Sequence, residues 1–277
     1  MISSGLHASP QMPDFIIYGN DTIKTYNLLV EQYLQDHEIV KSDKLFGLSF
    51  RKGASFNCWR GYQAIYKIES DSLYLVDITN CGERWTGKID TAASEKKMKA
   101  IFGDKLVNGK VFIDWFSGAI SFPLTNKILR WDGVFYTIYE NERVFSIVKG
   151  KILNVKDVNN YEDDPDAIDR RYNSKISDVL FRQLKKVKWE NIKKFDCSDR
   201  YLVTIGKNGR VSKVIMPRYP IQDSIDKYWD KDEYQYCINN VFKALQNLKF
   251  DIIKDKGIPI PENVYIEIWF ISRKKIE

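Results

Sequence analysis

Histidine is almost missing from this chain of 277 residues, which has only His7 and His37. A Ser-His-Asp triad needs a histidine between acid and nucleophile, and a multi-histidine metal centre needs several, so neither is expected. Proline is scarce at eight, too few for a long Pro-rich spacer. No run approaches the ~20 consecutive apolar residues of a membrane-spanning helix, and no Gly-rich phosphate loop or dinucleotide fingerprint occurs. Nothing in the sequence calls for a cofactor.

What is present is ordinary for a globular protein: 44% hydrophobic and 29% charged residues, in a chain long enough for two domains. The net charge of +6 is unevenly placed. Residues 1–153 carry 19 basic and 17 acidic side chains, 154–173 carry 3 and 6, and 174–277 carry 21 and 14. The lysines of the basic final third are scattered and not interleaved with stacking aromatics, which speaks against nucleic acid and for a solvated surface.

The four cysteines fall two to a half, Cys58 with Cys81 and Cys197 with Cys237. An even count so distributed suits two intradomain disulfides and an oxidising compartment; four buried thiols are the alternative, and neither pair has zinc spacing. The stretch Leu6-His7-Ala8-Ser9 looks like the surroundings of a leader cleavage site, so an exported, periplasmic protein is expected, with a cytoplasmic one as the alternative.

The predicted fold class is α+β, a mostly antiparallel β domain followed by a smaller helix-strand-strand-helix-strand domain. Within the first domain, residues 14–153, a hairpin at Asp14–Thr25 leads to a helix at about Tyr26–His37. Period-two alternation then puts Tyr62, Ala64, Tyr66 and Ile68 on one face of a strand that turns at Ser70-Asp71 into Ser72–Ile78. Further strands are read at Glu83–Ile89, Lys110–Phe116, Gly133–Tyr139 and Arg143–Val155, with a helix at about Ser94–Phe102, giving a sandwich or half-barrel. Residues 154–173, polar, acidic and interrupted by Pro165, read as an interdomain linker.

In the second domain, residues 174–277, Ile176, Val179, Leu180, Leu184 and Val187 stripe a helix at about Ser174–Lys188. Strands Arg200–Ile205 and Val211–Met216 flank Gly206-Lys207-Asn208-Gly209-Arg210, whose Asn-Gly pair predicts a type I′ hairpin. A helix at about Glu233–Lys249 presents Cys237, Val241, Leu245 and Leu248 on one side. The last strand is Val264-Tyr265-Ile266-Glu267-Ile268-Trp269-Phe270-Ile271.

Residues 197–271 resemble the C-terminal domain of the TonB family of bacterial energy transducers. The resemblance lies in the hairpin around Gly206–Val211, the helix Cys237–Leu248, and Lys256-Gly257-Ile258-Pro259-Ile260 leading into the final strand. It implies a non-enzymatic domain that binds a partner's peptide by strand addition at a sheet edge. Val264–Ile271 is the strand expected to offer that edge. The Pro-rich spacer and membrane helix of a transducer are not found, so energy transduction is not expected. Residues 61–75 and 109–118 are weakly similar to uncharacterised bacterial exported proteins, a likeness that carries no activity.

Chemistry has few candidates. Asp114, between Ile113 and Trp115, reads as buried; it is either structurally paired with Lys110, Arg130 or Arg143, or half of a carboxylate pair with Glu83 or Asp132 in a hydrolase. A Cys58–His37 dyad is conceivable. Trp59, Trp85, Trp115 and Trp131 could line a groove for a sugar or peptide, although most such aromatics are core. The leading expectation is a non-enzymatic binding protein of the bacterial envelope whose partner is another protein. An immunity protein that occludes a cognate toxin is the alternative, and the carboxylate hydrolase comes third.

Overall fold

A computed structural model describes residues 11–37, 44, 45, 48, 49, 55, 57–87, 89–172, 175–187, 189, 194–218, 224, 225, 227, 229–272, 275 and 276. The cleavage-like stretch and His7 lie outside the described residues. The chain divides into two units, Met1–Val158 and Asn159–Glu277.

The hairpin at the start of unit 1 is β1 (Asp14–Tyr18) and β2 (Asp21–Thr25), followed by α1 (Leu29–Asp36), which buries Leu29, Val30, Tyr33 and Leu34. Two short strands, β3 (Lys44–Leu45) and β4 (Leu48–Ser49), pair with each other. Next come β5 (Tyr62–Glu69) and β6 (Ser72–Asn80), joined by Ser70 and Asp71, both at positive φ, as a tight hairpin turn requires. The alternating face of β5 is buried as predicted, but Gln63 and Ile65 are buried too. The Gln63 amide is satisfied there, donating to the Pro13 carbonyl at 2.6 Å and accepting the Gly82 N–H at 2.8 Å, and β1 pairs with β5 in parallel.

The helix α2 (Thr91–Phe102) begins three residues before the sequence expectation, because the Asp90 carboxylate caps it by accepting the Ala93 N–H at 3.0 Å. The remaining strands of the unit are β7 (Leu106–Val107), β8 (Lys110–Phe112), β9 (Gly118–Pro123), β10 (Ile128–Trp131), β11 (Thr137–Tyr139), β12 (Asn141–Val148) and β13 (Lys151–Asn159). With β1, β2, β5 and β6 they build one nine-stranded sheet, in the order β2-β1-β5-β6-β13-β12-β9, with β8 attached at β6 and β7 at β8, plus a separate ribbon β10-β11. The mostly antiparallel β domain is thus present, as one large sheet with a side ribbon. Its core centres on Ile16, Leu34, Tyr66, Leu75, Phe102 and Phe145.

Several strand expectations are corrected. Glu83–Thr86 is a 3-10 turn between Gly82 and Gly87, both in the left-handed region. The strand beginning at Lys110 stops at Phe112. The run Arg143–Val155 is two strands folded back at Lys149 and Gly150, whose φ values of 46° and 74° make the turn.

Unit 2 contains β14 (Tyr161–Glu162), α3 (Ile176–Leu184), β15 (Asp199–Ile205), β16 (Val211–Ile215), α4 (Lys231–Leu245), β17 (Ile252–Asp255), β18 (Ile258–Pro259), β19 (Glu262–Ile268), β20 (Phe270–Ser272) and β21 (Lys275–Ile276). The predicted helix-strand-strand-helix-strand order is present as α3, β15, β16, α4 and β19. The three strands form an antiparallel sheet in the order β16-β15-β19. Tyr201, Val203, Val214 and Ile266 are buried in one cluster with Leu180, Leu184, Val241 and Leu245 of the two helices.

The hairpin turn departs from type I′. Only Gly209 takes positive φ, at 72°, and the chain closes through Gly209 N–H donating to the Gly206 carbonyl at 3.0 Å, with a bulge before Ile205 pairs with Val211. A glycine is required there twice over, since a Cβ on Gly209 would lie 2.0 Å from the Phe250 carbonyl oxygen.

The acidic stretch 154–173 is not a solvated linker. Its first part completes β13, and β14 pairs with β17. Arg170 is fully buried, donating to Glu262 Oε2 at 2.9 Å and to the Asp251 carbonyl at 3.1 Å. The Tyr161 hydroxyl donates to Asp169 Oδ1 at 2.8 Å and also bonds the buried Asp251 carboxylate. Asn160, Tyr161 and Arg170 are thus buried with hydrogen-bond partners, which unpaired would be costly, while the acidic side chains of the stretch stay mostly exposed.

Both expected disulfides are formed, Cys58 with Cys81 and Cys197 with Cys237. Among the described residues no helix is long and apolar enough to cross a membrane.

Candidate functional site

β19 lies at one end of its sheet. It pairs with β15 along one side, from Asp199 opposite Ile268 to Ile205 opposite Glu262, and no strand among the described residues pairs with its other side. The strand alternates cleanly: Val264, Ile266 and Ile268 are buried, while Asn263, Tyr265 and Glu267 are exposed on the opposite face. On that outer face Glu267 sits opposite Arg200 and Tyr265 opposite Leu202. The expected single strand Val264–Ile271 is broken. β19 ends at Ile268, and after Trp269 the chain enters β20, which pairs with β21. The side chains of Phe270 and Ile271 lie outside the described set.

On the outer face of the sheet, reaching from β19 across β15 to the residues after β16, is an open concavity of about 600 Å³ lined by Arg200, Pro217, Arg218, Tyr265 and Glu267. Arg200 reaches Glu267 Oε1 through Nε at 2.7 Å and through Nη2. That hydrogen bond holds the Glu267 carboxyl below the usual carboxylate range against the opposing effect of burial, and a Trp269 side-chain hydrogen bond and the Arg218 charge add to it. Tyr265 is 59% exposed and Trp269 50%. Pro217 and Arg218 follow β16 at the other end of the concavity; Arg218 Nε is 3.9 Å from Asp199 Oδ1. The concavity thus sets two guanidinium groups, a tyrosine ring and a proline around one ion-paired carboxylate.

The other sequence candidates are placed elsewhere. Asp114 is exposed and bonded to Lys105 at 2.6 Å, not buried and not paired with Lys110, Arg130 or Arg143. The chain leaves β8 at Phe112, so Ile113 and Phe116 turn inward while Asp114 turns out. Glu83 accepts the N–H groups of Asn80 and Asp90 at 2.7 and 2.8 Å. Asp132 Oδ1 accepts three consecutive N–H groups, from Val134, Phe135 and Tyr136. Each of these carboxylates is engaged in its own local hydrogen bonds.

Cys58 is in a disulfide and His37 stacks on Tyr33 with ring centroids 3.9 Å apart, so the Cys58–His37 dyad is not formed. Trp115 is half-buried, donates to the Leu29 carbonyl at 2.9 Å and stacks on Phe102. Trp59, Trp85 and Trp131 are exposed. Among the described residues no group of three or more His, Cys, Asp or Glu could hold a metal ion.

Sequence reasoning missed the buried polar cluster of unit 1. There Asp14 meets Arg60, Ala64 N–H and Tyr66, and the Tyr62 hydroxyl donates to Glu31 at 2.7 Å. Burial pushes both tyrosine hydroxyls well above their usual value. No local pattern announces such a cluster, because its members come from three distant segments.

Comparison with protein-family models, curated proteins and solved structures finds no match for this chain.

Proposed function

We propose that this protein is a non-enzymatic binding protein that takes up an extended segment of a partner protein as an added strand along β19. The observation that carries this reading is the position of β19 at the end of its sheet, unpaired on one side among the described residues and flanked by exposed Tyr265 and Trp269. A free row of main-chain donors and acceptors is a template for another strand, and exposed aromatics beside it supply desolvated contact area. Two disulfides suit an oxidising compartment such as the bacterial envelope.

The test is a photo-crosslinking amino acid placed at Tyr265, with one at Trp85 in unit 1 as control, followed by mapping of the adducts to peptide resolution. Adducts from position 265 should map to one extended segment and be outcompeted by a synthetic peptide of that segment. Adducts in the active site of a folded toxin would establish the immunity reading instead. Adducts from position 85 alone would overturn binding at β19.

A further inference from the structure

A strand added along β19 would extend the sheet, and the two faces of that sheet differ. α4 touches β16, α3 touches β19, and the two helices touch each other, so they cover one face with α3 above the β19 end. Val264, Ile266 and Ile268 point into that covered face. The side chains of an added strand alternate in the same way. Every second one would therefore enter beside these residues, under the outer flank of α3.

Which flank of α3 is the outer one follows from its hydrogen bond to α4. Gln183 Nε2 donates to the Ala244 carbonyl at 3.3 Å, so the Gln183 side faces α4. Phe181 stands about 160° round the helix from Gln183, and Ser177 lies one turn before Phe181 on the same side. These two face outward, beyond β19. Phe181 is only partly buried against the core of unit 2, and Lys185 Nζ lies 4.8 Å over its ring. Lys185 is exposed and makes no ion pair among the described residues. The unpaired side of β19 and the Phe181 flank thus bound a groove between strand and helix, in a unit whose residues 174–277 carry 21 basic and 14 acidic side chains.

A polar side chain turned into this groove would be buried beside Val264 and Ile266 without a partner, whereas an apolar one gains by burial. The surrounding charge favours an acidic ligand. We infer that the segment accepted by β19 is amphipathic and acidic: an extended stretch with an apolar residue at every second position, turned in under α3 toward Phe181, and acidic residues among the others. This rests on the strand-addition reading, and it adds the pattern by which one extended segment is chosen over another.

The experiment is a selection of random ten-residue peptides, displayed on phage, against the full chain. Binding of the enriched peptides is then measured with alanine, and separately with backbone N-methylation, at each position in turn. The enriched peptides should carry net negative charge and apolar residues at every second position. Alanine at those positions should weaken binding about tenfold or more, and alanine between them should change it little. Phe181→Ala should also weaken binding about tenfold. Because Phe181 helps to pack unit 2, a second variant is needed: Ser177→Trp fills the groove without removing a buried apolar group, and should abolish binding while melting with the wild-type chain. Peptides lost on N-methylation that lack the alternation or the acidic residues, or that are indifferent to both variants, would overturn the amphipathic groove and leave strand addition standing. Peptides that tolerate N-methylation throughout, or no enrichment at all, would overturn strand addition and the groove together.

Discussion

Arg60 Nη1 lies 2.6 Å from Asp14 Oδ1, with the two side chains at 2% and 0% exposure, although they are forty-six residues apart in the chain. Arg60 Nη2 also donates to the Met12 carbonyl at 3.0 Å, and Asp14 accepts the Ala64 N–H at 2.8 Å. The pair ties the entry of β1 to the entry of β5, where the parallel pairing of the sheet is made. Burial pushes the Asp14 carboxyl above its ordinary value, and Arg60 opposes this without reversing it.

Breaking that pair from one side should be costly. Arg60→Met leaves a buried carboxylate and Asp14→Asn leaves a buried guanidinium, each expected to destabilise unit 1 by about 3–5 kcal/mol. The double variant Asp14→Leu with Arg60→Met should lose less than the two single losses added, because no uncompensated charge remains. Urea unfolding followed by tryptophan fluorescence measures all three; additive losses would show that the two residues do not act as a pair.

Two glycines with the same backbone conformation should respond differently to alanine. Gly209 and Gly87 both have φ of 72°, but a Cβ on Gly87 meets nothing within 4 Å, whereas one on Gly209 meets the Phe250 carbonyl at 2.0 Å. Gly87→Ala should cost about 1 kcal/mol, the left-handed penalty alone. Gly209→Ala must also push apart the backbone contact in which Phe250 N–H donates to the Gly209 carbonyl at 2.8 Å, and should cost about 3 kcal/mol or more. Equal losses in thermal unfolding would mean that the close approach is absent in solution.

The contrast between these glycines also shows where sequence reading stops. The strands on either side of Gly209, and the stripe of Cys237, Val241 and Leu245, were legible because each is a local periodicity. So was the alternation of β19 that defines the candidate edge, though not the break at Trp269. Asp114 was misread because apolar neighbours suggest burial only while a strand continues, and β8 ends two residues earlier. Arg170 in its acidic run looked solvated; what buries it is Glu262, ninety-two residues away. The parallel pairing of β1 with β5, and the rim Arg218, likewise depend on contacts no window of sequence contains.

Acid should destabilise both units through named carboxylates. Asp157 is held below its ordinary value of 3.8 by hydrogen bonds from Arg143, and Asp164 is lowered likewise by Lys249. Glu69 is held below 4.5 by Lys110. A carboxyl with a lowered folded value contributes stability that is fully present above its unfolded value and is lost as pH falls through the folded one. Asp14 runs the other way, its raised value favouring folding below its folded pKa and opposing that loss. The melting temperature should therefore fall as pH drops from about 5 to 2. Arg143→Gln should make the fall shallower and Asp14→Asn should make it steeper. A flat profile in the wild-type chain would contradict these assignments.

The disulfides give the last expectation. Cys197, just before β15, is joined to Cys237 within α4 across a separation of forty residues, and Cys58 to Cys81 across twenty-three. Each closes a loop whose entropy in the unfolded chain is worth about 3–4 kcal/mol by the chain-entropy relation. Thiol titration of the unreduced, denatured protein should find no free thiol. Cys197→Ser with Cys237→Ser should lower the stability of unit 2 by that amount and speed amide exchange in β15, the strand against which β19 is laid. The same pair should leave the exchange of β5 and β6 unchanged, and Cys58→Ser with Cys81→Ser should do the reverse. Four free thiols, or exchange that rises in the wrong unit, would refute the assignment.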